Sequence, residues 1–157
     1  MKQFMRTLFP KEFFTNTAHF RALTLSALYV GVAIAQLFTY EKFARVIEGF
    51  GLPGGGVTAG ILAVLLPLAA CTALPYLLSM RLSARLRTIS GAAVLVTPIV
   101  WLAIAVWLNF APNASQLNAG IFGATIVASV GLWTIAFTLL WVWAAILVVR
   151  ELPHRTS

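Results

Sequence analysis

The sequence predicts an all-α polytopic membrane protein, a four-transmembrane-helix bundle with a short interfacial amphipathic helix after the first span. Hydrophobic residues make up 61% of the 157 residues and charged residues only 10%, against roughly 25% in soluble proteins. Four uncharged apolar stretches alternate with connections that hold the basic residues. A chain of this size cannot bury so much apolar surface in a water-soluble core. We therefore expect it to lie in the lipid bilayer.

The N-terminal part predicts an interfacial segment followed by the first span. Residues 1–21 combine four basic residues with several phenylalanines, a pattern typical of an amphipathic segment at the cytoplasmic interface. Residues 22–38 carry no charged side chain. Their length is near the lower limit of about 17–25 residues for a spanning helix.

A change of period after the first span predicts the short interfacial helix. In residues 38–50, Phe43 and Ile47 fall on one helical face, whereas Glu41 and Arg45 fall on the other. The latter two are four residues apart and are expected to form an intrahelical ion pair. Glycines and a proline directly afterwards end the helix and turn the chain.

The rest of the chain predicts three longer spans and a short cytoplasmic tail. Prolines within two of these spans predict kinks, in which neighbouring helices satisfy the freed backbone groups. The predicted spans are 57–80, 89–110 and 120–149, the prolines are Pro67, Pro75 and Pro98, and the tail is 150–157.

The distribution of basic residues predicts the orientation. The N-terminal segment, the connection after the second span and the tail hold four, three and two of the eleven Lys and Arg residues. The other two basic residues, Lys42 and Arg45, are offset by Glu41 and Glu48. By the positive-inside rule, both termini are cytoplasmic in an inner or plasma membrane.

Small residues at four-residue spacing predict how the helices pack. In lipid such residues let helix backbones approach closely. The first and fourth helices are therefore expected to touch through them, within one chain or across a homo-oligomer. These residues are Ala27, Gly31 and Ala35 on the first helix and Gly120, Ala124 and Ala128 on the fourth.

The predicted spans contain no Asp, Glu, Lys, Arg or His, which argues against a proton-coupled pump, since such pumps depend on intramembrane ionisable groups. His19 and His154 are expected at the surface, and Cys71 as a small buried hydrophobe. No metal site is predicted. The basic residues are not interleaved with exposed aromatics, so nucleic acid is not expected as a partner.

One group of titratable residues has two interpretations. Glu41, Lys42, Arg45 and Glu48 are close together after the first span. They form either a contact for a headgroup, a quinone ring or a partner protein, or simply the solvated face of the interfacial helix.

The order of these features resembles a known family. The amphipathic stretch Gln36-Leu37-Phe38-Thr39-Tyr40-Glu41-Lys42-Phe43 and the turn Gly51-Leu52-Pro53-Gly54 precede three more spans. Over residues 22–149 this is similar to the DoxX-like superfamily of small four-helix membrane proteins, which includes the MauE group. Members often carry a lysine followed by aliphatic residues after the first helix; Lys42 matches the lysine, and the apolar residue after it is here the aromatic Phe43.

The resemblance implies an association with membrane oxidoreductases, enzyme maturation or membrane-protein assembly. We expect first a non-catalytic accessory or assembly subunit, without a cofactor, that contacts other membrane proteins or itself. The second hypothesis is a subunit of a quinone-linked or thiol oxidoreductase, with quinone near Glu41 and Lys42. The third is a carrier or channel for a neutral or lipidic molecule, lined by hydroxyl residues. These are Thr72, Ser79, Thr97, Thr125 and Ser129.

Overall fold

The structure, a computed structural model, describes residues 17–80, 82–110 and 118–152, which form five helices and one ordered loop. The predicted N-terminal segment before residue 17 and the tail after residue 152, including His154, lie outside this part. The helices are α1 (Thr17–Phe38), α2 (Tyr40–Glu48), α3 (Gly55–Leu77), α4 (Ala84–Phe110) and α5 (Leu132–Glu151). All except α2 are long and apolar enough to cross a membrane. The predicted all-α, four-span fold is confirmed.

The four long helices form a bundle with one loose seam. α1 packs against α3, α3 against α4, and α4 against α5, whereas α1 and α5 touch much less. We call the end that holds the start of α1 and the end of α5 the terminal end. The opposite end, covered by α2 and the loop 118–131, is the capped end.

The outer surface of the bundle is apolar. Large hydrophobic side chains point outward on every long helix, for example Ile34, Leu68, Ile99 and Leu140, each at least half exposed. A water-soluble protein rarely exposes such a continuous apolar surface, whereas lipid accepts it. The chain is therefore an integral, multi-pass membrane protein.

A tyrosine satisfies the backbone where a proline interrupts α4. Pro98 has no N–H, so the carbonyl of Val94, four residues earlier, loses its helical partner. The hydroxyl of Tyr29 on α1 donates to this carbonyl at 2.5 Å. The bond fixes the register between two diagonal helices at the proline.

A serine replaces a different backbone bond near a proline of α3. Near Pro75, the Ser90 hydroxyl of α4 donates to the carbonyl of Thr72 at 2.5 Å and accepts from the N–H of Tyr76 at 3.0 Å. In an uninterrupted helix these two backbone groups would bond to each other. Ser90 thus bridges the break and links α3 to α4. The prolines in the sequence predicted that a neighbouring helix would supply such a partner.

The short helix α2 forms where its period predicted it, but its apolar face covers protein. Phe43 and Ile47 are fully buried and Phe50 is nearly so. α2 packs mainly on α3, and the Phe43 ring lies 6.4 Å from that of Trp101 on α4. Glu41 and Arg45 do not form the predicted ion pair; in the described part of the chain the ion pair is Arg21–Glu151.

The fourth span begins later than predicted. Residues 118–131 are not helical, and α5 starts at Leu132 rather than at residue 120. Gly120 and Gly123 adopt φ angles of +72° and +70°, which an α-helix does not accept. The side chain of Asn118 organises the loop by accepting from the N–H groups of Gly120 and Ala128, at 3.1 and 3.2 Å.

The loop folds down onto the capped end. The Gln36 amide donates to the carbonyl of Ile121 at 3.0 Å, and Thr39 accepts from the N–H of Ala124 at 3.2 Å. Ile121 is almost fully buried. This apolar sequence therefore covers the bundle instead of extending a helix.

The predicted small-residue packing between the first and fourth helices is not formed within the chain. Gly120, Ala124 and Ala128 belong to the loop, so they form no helical face. On α1, Ala27 and Gly31 face outward, and no atom lies near Gly31 where a side chain would begin. Ala35 does make a close contact, but with Gly123 of the loop.

Candidate functional site

The loose seam between α1 and α5 forms a groove that opens laterally towards the lipid. We call it the α1–α5 groove. Its volume is about 500 Å³, within the usual range of ligand sites, roughly 300–1,000 Å³. It is lined by Phe20, Arg21, Thr24, Leu25, Leu28, Phe137, Leu140, Trp141, Trp143, Ala144, Leu147 and Val148. Except at its mouth, these side chains are almost all apolar.

The groove occupies one half of the membrane-spanning length. On α1 it extends from Phe20 to Leu28 and on α5 from Phe137 to Val148, or about 12 and 16 Å at 1.5 Å per residue. Half of a hydrocarbon core of about 30 Å is about 15 Å. The groove therefore matches one leaflet, on the side of the terminal end.

An ion pair stands at the mouth of the groove. The guanidinium of Arg21, in the first turns of α1, donates to the carboxylate of Glu151 in the last turn of α5. Their side chains are 49% and 32% exposed, so both groups remain accessible at the surface. The site thus combines an apolar cleft with one cation and one anion at its polar end.

Packed aromatic rings form the inner wall. Trp141 is only 2% exposed. Its ring meets the Tyr29 ring edge-on at 5.2 Å and lies 6.0 Å from Phe137. Phe137 in turn lies 5.7 Å from Phe122 of the loop. Because Tyr29 is itself held by Val94, this wall is fixed by the rest of the bundle.

Two further grooves differ from the α1–α5 groove in chemistry. Each has a volume of about 350 Å³ and lies mainly between α3 and α4. Neither is lined by a charged residue. Of these three grooves, the α1–α5 groove is the largest and has charged groups that could orient a ligand.

The residues predicted as a cofactor or headgroup site lie elsewhere. Glu41, Lys42 and Arg45 are exposed on α2 at the capped end, on the other side of the bundle from the groove. They share one helix surface, as their spacing predicted. Over the described ranges, no three His, Cys, Asp or Glu residues come together.

Two other sequence expectations concern single residues. His19, expected at the surface, is only 1% exposed. It lies on the same face of α1 as Ala22, Ser26 and Tyr29, which all point into the bundle. Cys71 is partly buried, with a free thiol.

Thr72 and Thr97, expected to line a pathway under the carrier hypothesis, bond to carbonyls of their own helices.

The groove residues were not identified from the sequence. In the sequence, Arg21 indicates only the orientation, and Glu151 lies 130 residues away from it. The available signal was one acidic residue directly after the last span, within a tail that is otherwise basic. A carboxylate at the end of a membrane-spanning helix is a reason to look for a cationic partner.

Comparison with known proteins gives no match to a protein family, a characterised protein or a solved structure.

Proposed function

We propose that this membrane protein is a non-catalytic accessory subunit, of the DoxX-like type, that holds a lipid chain in the α1–α5 groove. The observation that carries the proposal is the groove itself. It is an apolar cleft of about 500 Å³, open to the bilayer and bounded at one end by Arg21, which pairs with Glu151. Such a shape retains an amphiphile from the surrounding lipid.

The polar side chains inside the bundle support a structural role. Tyr29, Ser90 and Gln36 each bond to backbone groups of another segment. Asn109 of α4 likewise donates to the carbonyl of Gly131, at the start of α5. These bonds hold the helices and the loop together, which suits a subunit that works by its shape and its bound lipid.

The quinone hypothesis gains no support from the groove. A quinone was expected near Glu41 and Lys42, at the capped end. The groove lies at the terminal end, between Arg21 and Phe137. Binding of a lipidic molecule was part of the carrier hypothesis, and the groove supports it as the activity of an accessory subunit. The protein partner of this subunit would be another membrane protein or a second copy of the chain.

The proposal is tested by filling the groove. Leu140 lines it and is 60% exposed, whereas the adjacent Leu139 is 51% exposed and lies outside it. Leu140→Trp should reduce the lipid that stays with the detergent-purified protein, measured per mole of protein by native mass spectrometry. Leu139→Trp is the matched control and should retain the wild-type amount.

A second variant guards against an uninformative result. Ala144→Phe fills the groove from the same helix about one turn from Leu140, and Ala136→Phe places the same side chain on an exposed position outside it. If wild-type protein retains no lipid, or if Leu140→Trp and Ala144→Phe retain as much as their controls, the proposed function is wrong.

A further inference from the structure

We infer that the α1–α5 groove selects a zwitterionic phospholipid whose headgroup ends in a primary ammonium, with the phosphate at Arg21 and the ammonium at Glu151. The inference rests on the proposed lipid-binding function and specifies its ligand. It follows from three features of the groove: its length, its volume and the charges at its mouth.

Length and volume together indicate a single acyl chain. The groove matches one leaflet in length, as described above. A methylene group is similar in size to a water molecule, which takes up about 30 Å³, so 500 Å³ holds about 16 methylenes. Each buried methylene contributes about 0.8 kcal/mol when it leaves water, but the chain leaves lipid here. The walls of the groove therefore match the shape of an acyl chain but gain little free energy from it. Selection of one lipid over another must come from the headgroup.

A peptide helix is a poorer occupant of this groove. A helix with its side chains is about 10–12 Å in diameter, so a length of 12 Å takes up roughly 1,000 Å³. This is about twice the volume of the groove. A helix of another subunit would have to sit on the groove rather than in it, leaving the apolar cleft beneath unfilled.

The mouth matches a headgroup that carries both charges. Arg21 offers a planar guanidinium, which binds phosphate oxygens well. Glu151 offers a carboxylate beside it, which an ammonium can approach. A phosphoethanolamine headgroup places its phosphate and its ammonium two carbons apart and can therefore replace the Arg21–Glu151 contact with two contacts of its own. A phosphoglycerol headgroup has no cation for Glu151.

The arrangement also places the lipid in one leaflet. Among the described residues, the terminal end carries Arg21, Arg85, Arg87 and Arg150 against Glu151. The charges of the capped end balance. The positive-inside rule predicts that the terminal end is cytoplasmic, so the selected lipid would come from the cytoplasmic leaflet.

Headgroup selection is measured with two lipids that share their acyl chains. The full-length protein is reconstituted in nanodiscs of equimolar phosphatidylethanolamine and phosphatidylglycerol, then re-extracted in mild detergent, and the retained lipid is identified by mass spectrometry. We expect wild-type protein to retain about two- to fivefold more phosphatidylethanolamine, the range for one partly exposed ion pair. Glu151→Gln should abolish this preference while lipid is still retained, whereas Arg21→Gln should reduce retention of both lipids.

Glu48→Gln is the matched control, because it removes the same charge from an exposed position at the capped end. It should keep the wild-type preference. Equal retention of the two lipids by wild-type protein, or an unchanged preference in Glu151→Gln, would overturn the inference. Either result leaves the proposed function intact as long as Leu140→Trp still loses lipid, so the two failures are distinguishable.

Discussion

Hydroxyl groups from other helices support the backbone of this bundle near two of its prolines. Lipid offers no water to a backbone carbonyl that has lost its donor, so the group needs a partner within the protein. Tyr29 supplies one to Val94 beside Pro98, and Ser90 bridges α3 near Pro75. Single polar atoms thus link helices whose remaining contacts are apolar.

Tyr29→Phe removes one of these links with little change in volume. The carbonyl of Val94 is then left unsatisfied, because Pro98 cannot donate to it. We expect the free energy of unfolding in mixed micelles to fall by about 1–2 kcal/mol.

A double-mutant cycle separates this effect from lost packing. Pro98→Ala restores an N–H that can donate to Val94, so Tyr29→Phe should cost clearly less in that background. Equal costs in both backgrounds would show that the Tyr29 hydroxyl does not compensate for the proline.

The sequence predicted where prolines interrupt the helices, but not which side chains bond to the backbone there. Pro75 and Pro98 are visible as prolines in apolar spans, whereas the choice of Ser90 and Tyr29 depends on how helices far apart in sequence align. The depths of two tryptophans also depend on where α5 begins. Trp141 lies in the middle of the helix and is buried, whereas Trp133 lies at its start and is 42% exposed.

The loop 118–131 shows how an apolar element can be misassigned. Its composition favours a membrane span, but glycines interrupt it at 120, 123 and 131. Two of them have positive φ angles, which turn the backbone back towards the bundle. The buried Ile121 and Val130 are covered by protein rather than by lipid.

Gly123→Ala tests whether the loop is held in place by the close approach of its backbone to that of α1. A Cβ atom at residue 123 would overlap the carbonyl of Ala35 on α1, and the φ angle of +70° adds strain. We expect a loss of about 1–3 kcal/mol in the free energy of unfolding, together with faster hydrogen exchange of the amides of Ala124 and Ala128.

Gly31→Ala is the control for that substitution. Gly31 is helical with open space around it, so alanine should be neutral or stabilising by about 0.5–1 kcal/mol. A Gly123→Ala protein as stable as Gly31→Ala would contradict the proposed seating of the loop.

Element prediction succeeded where a period was clear. The helical spacing of Phe43 and Ile47 correctly predicted α2, because apolar residues four apart with charged residues between them fit a helix with one apolar face. The surface that buries this face could not be read from the sequence, since lipid and a neighbouring helix favour the same residues.

At the scale of the whole molecule, the open seam between α1 and α5 is the main departure from a closed bundle. The number of spans follows from composition, because four uncharged stretches must be shielded from water. The seam depends on interhelical packing, which leaves no periodic signal in the sequence. Arg21 and Glu151 meet there only after the fold has brought the ends of the chain together.

The charge asymmetry between the two ends predicts the orientation of the molecule. Basic residues concentrate at the terminal end, whereas Glu41 and Glu48 balance Lys42 and Arg45 at the capped end. The positive-inside rule then predicts that α2 and the loop 118–131 face away from the cytoplasm. The leaflet assigned to the groove depends on this orientation.

Cysteine labelling in intact cells tests the four-span topology most directly. With Cys71→Ala as the background, single cysteines are introduced at Val127 in the loop and at Ser83 in the connection before α4, both exposed. A membrane-impermeant maleimide should label Val127→Cys in intact cells, and Ser83→Cys only after the membrane is permeabilised. Labelling of Ser83→Cys in intact cells, with Val127→Cys protected, would contradict the orientation, and labelling of both would contradict the four-span fold in the membrane.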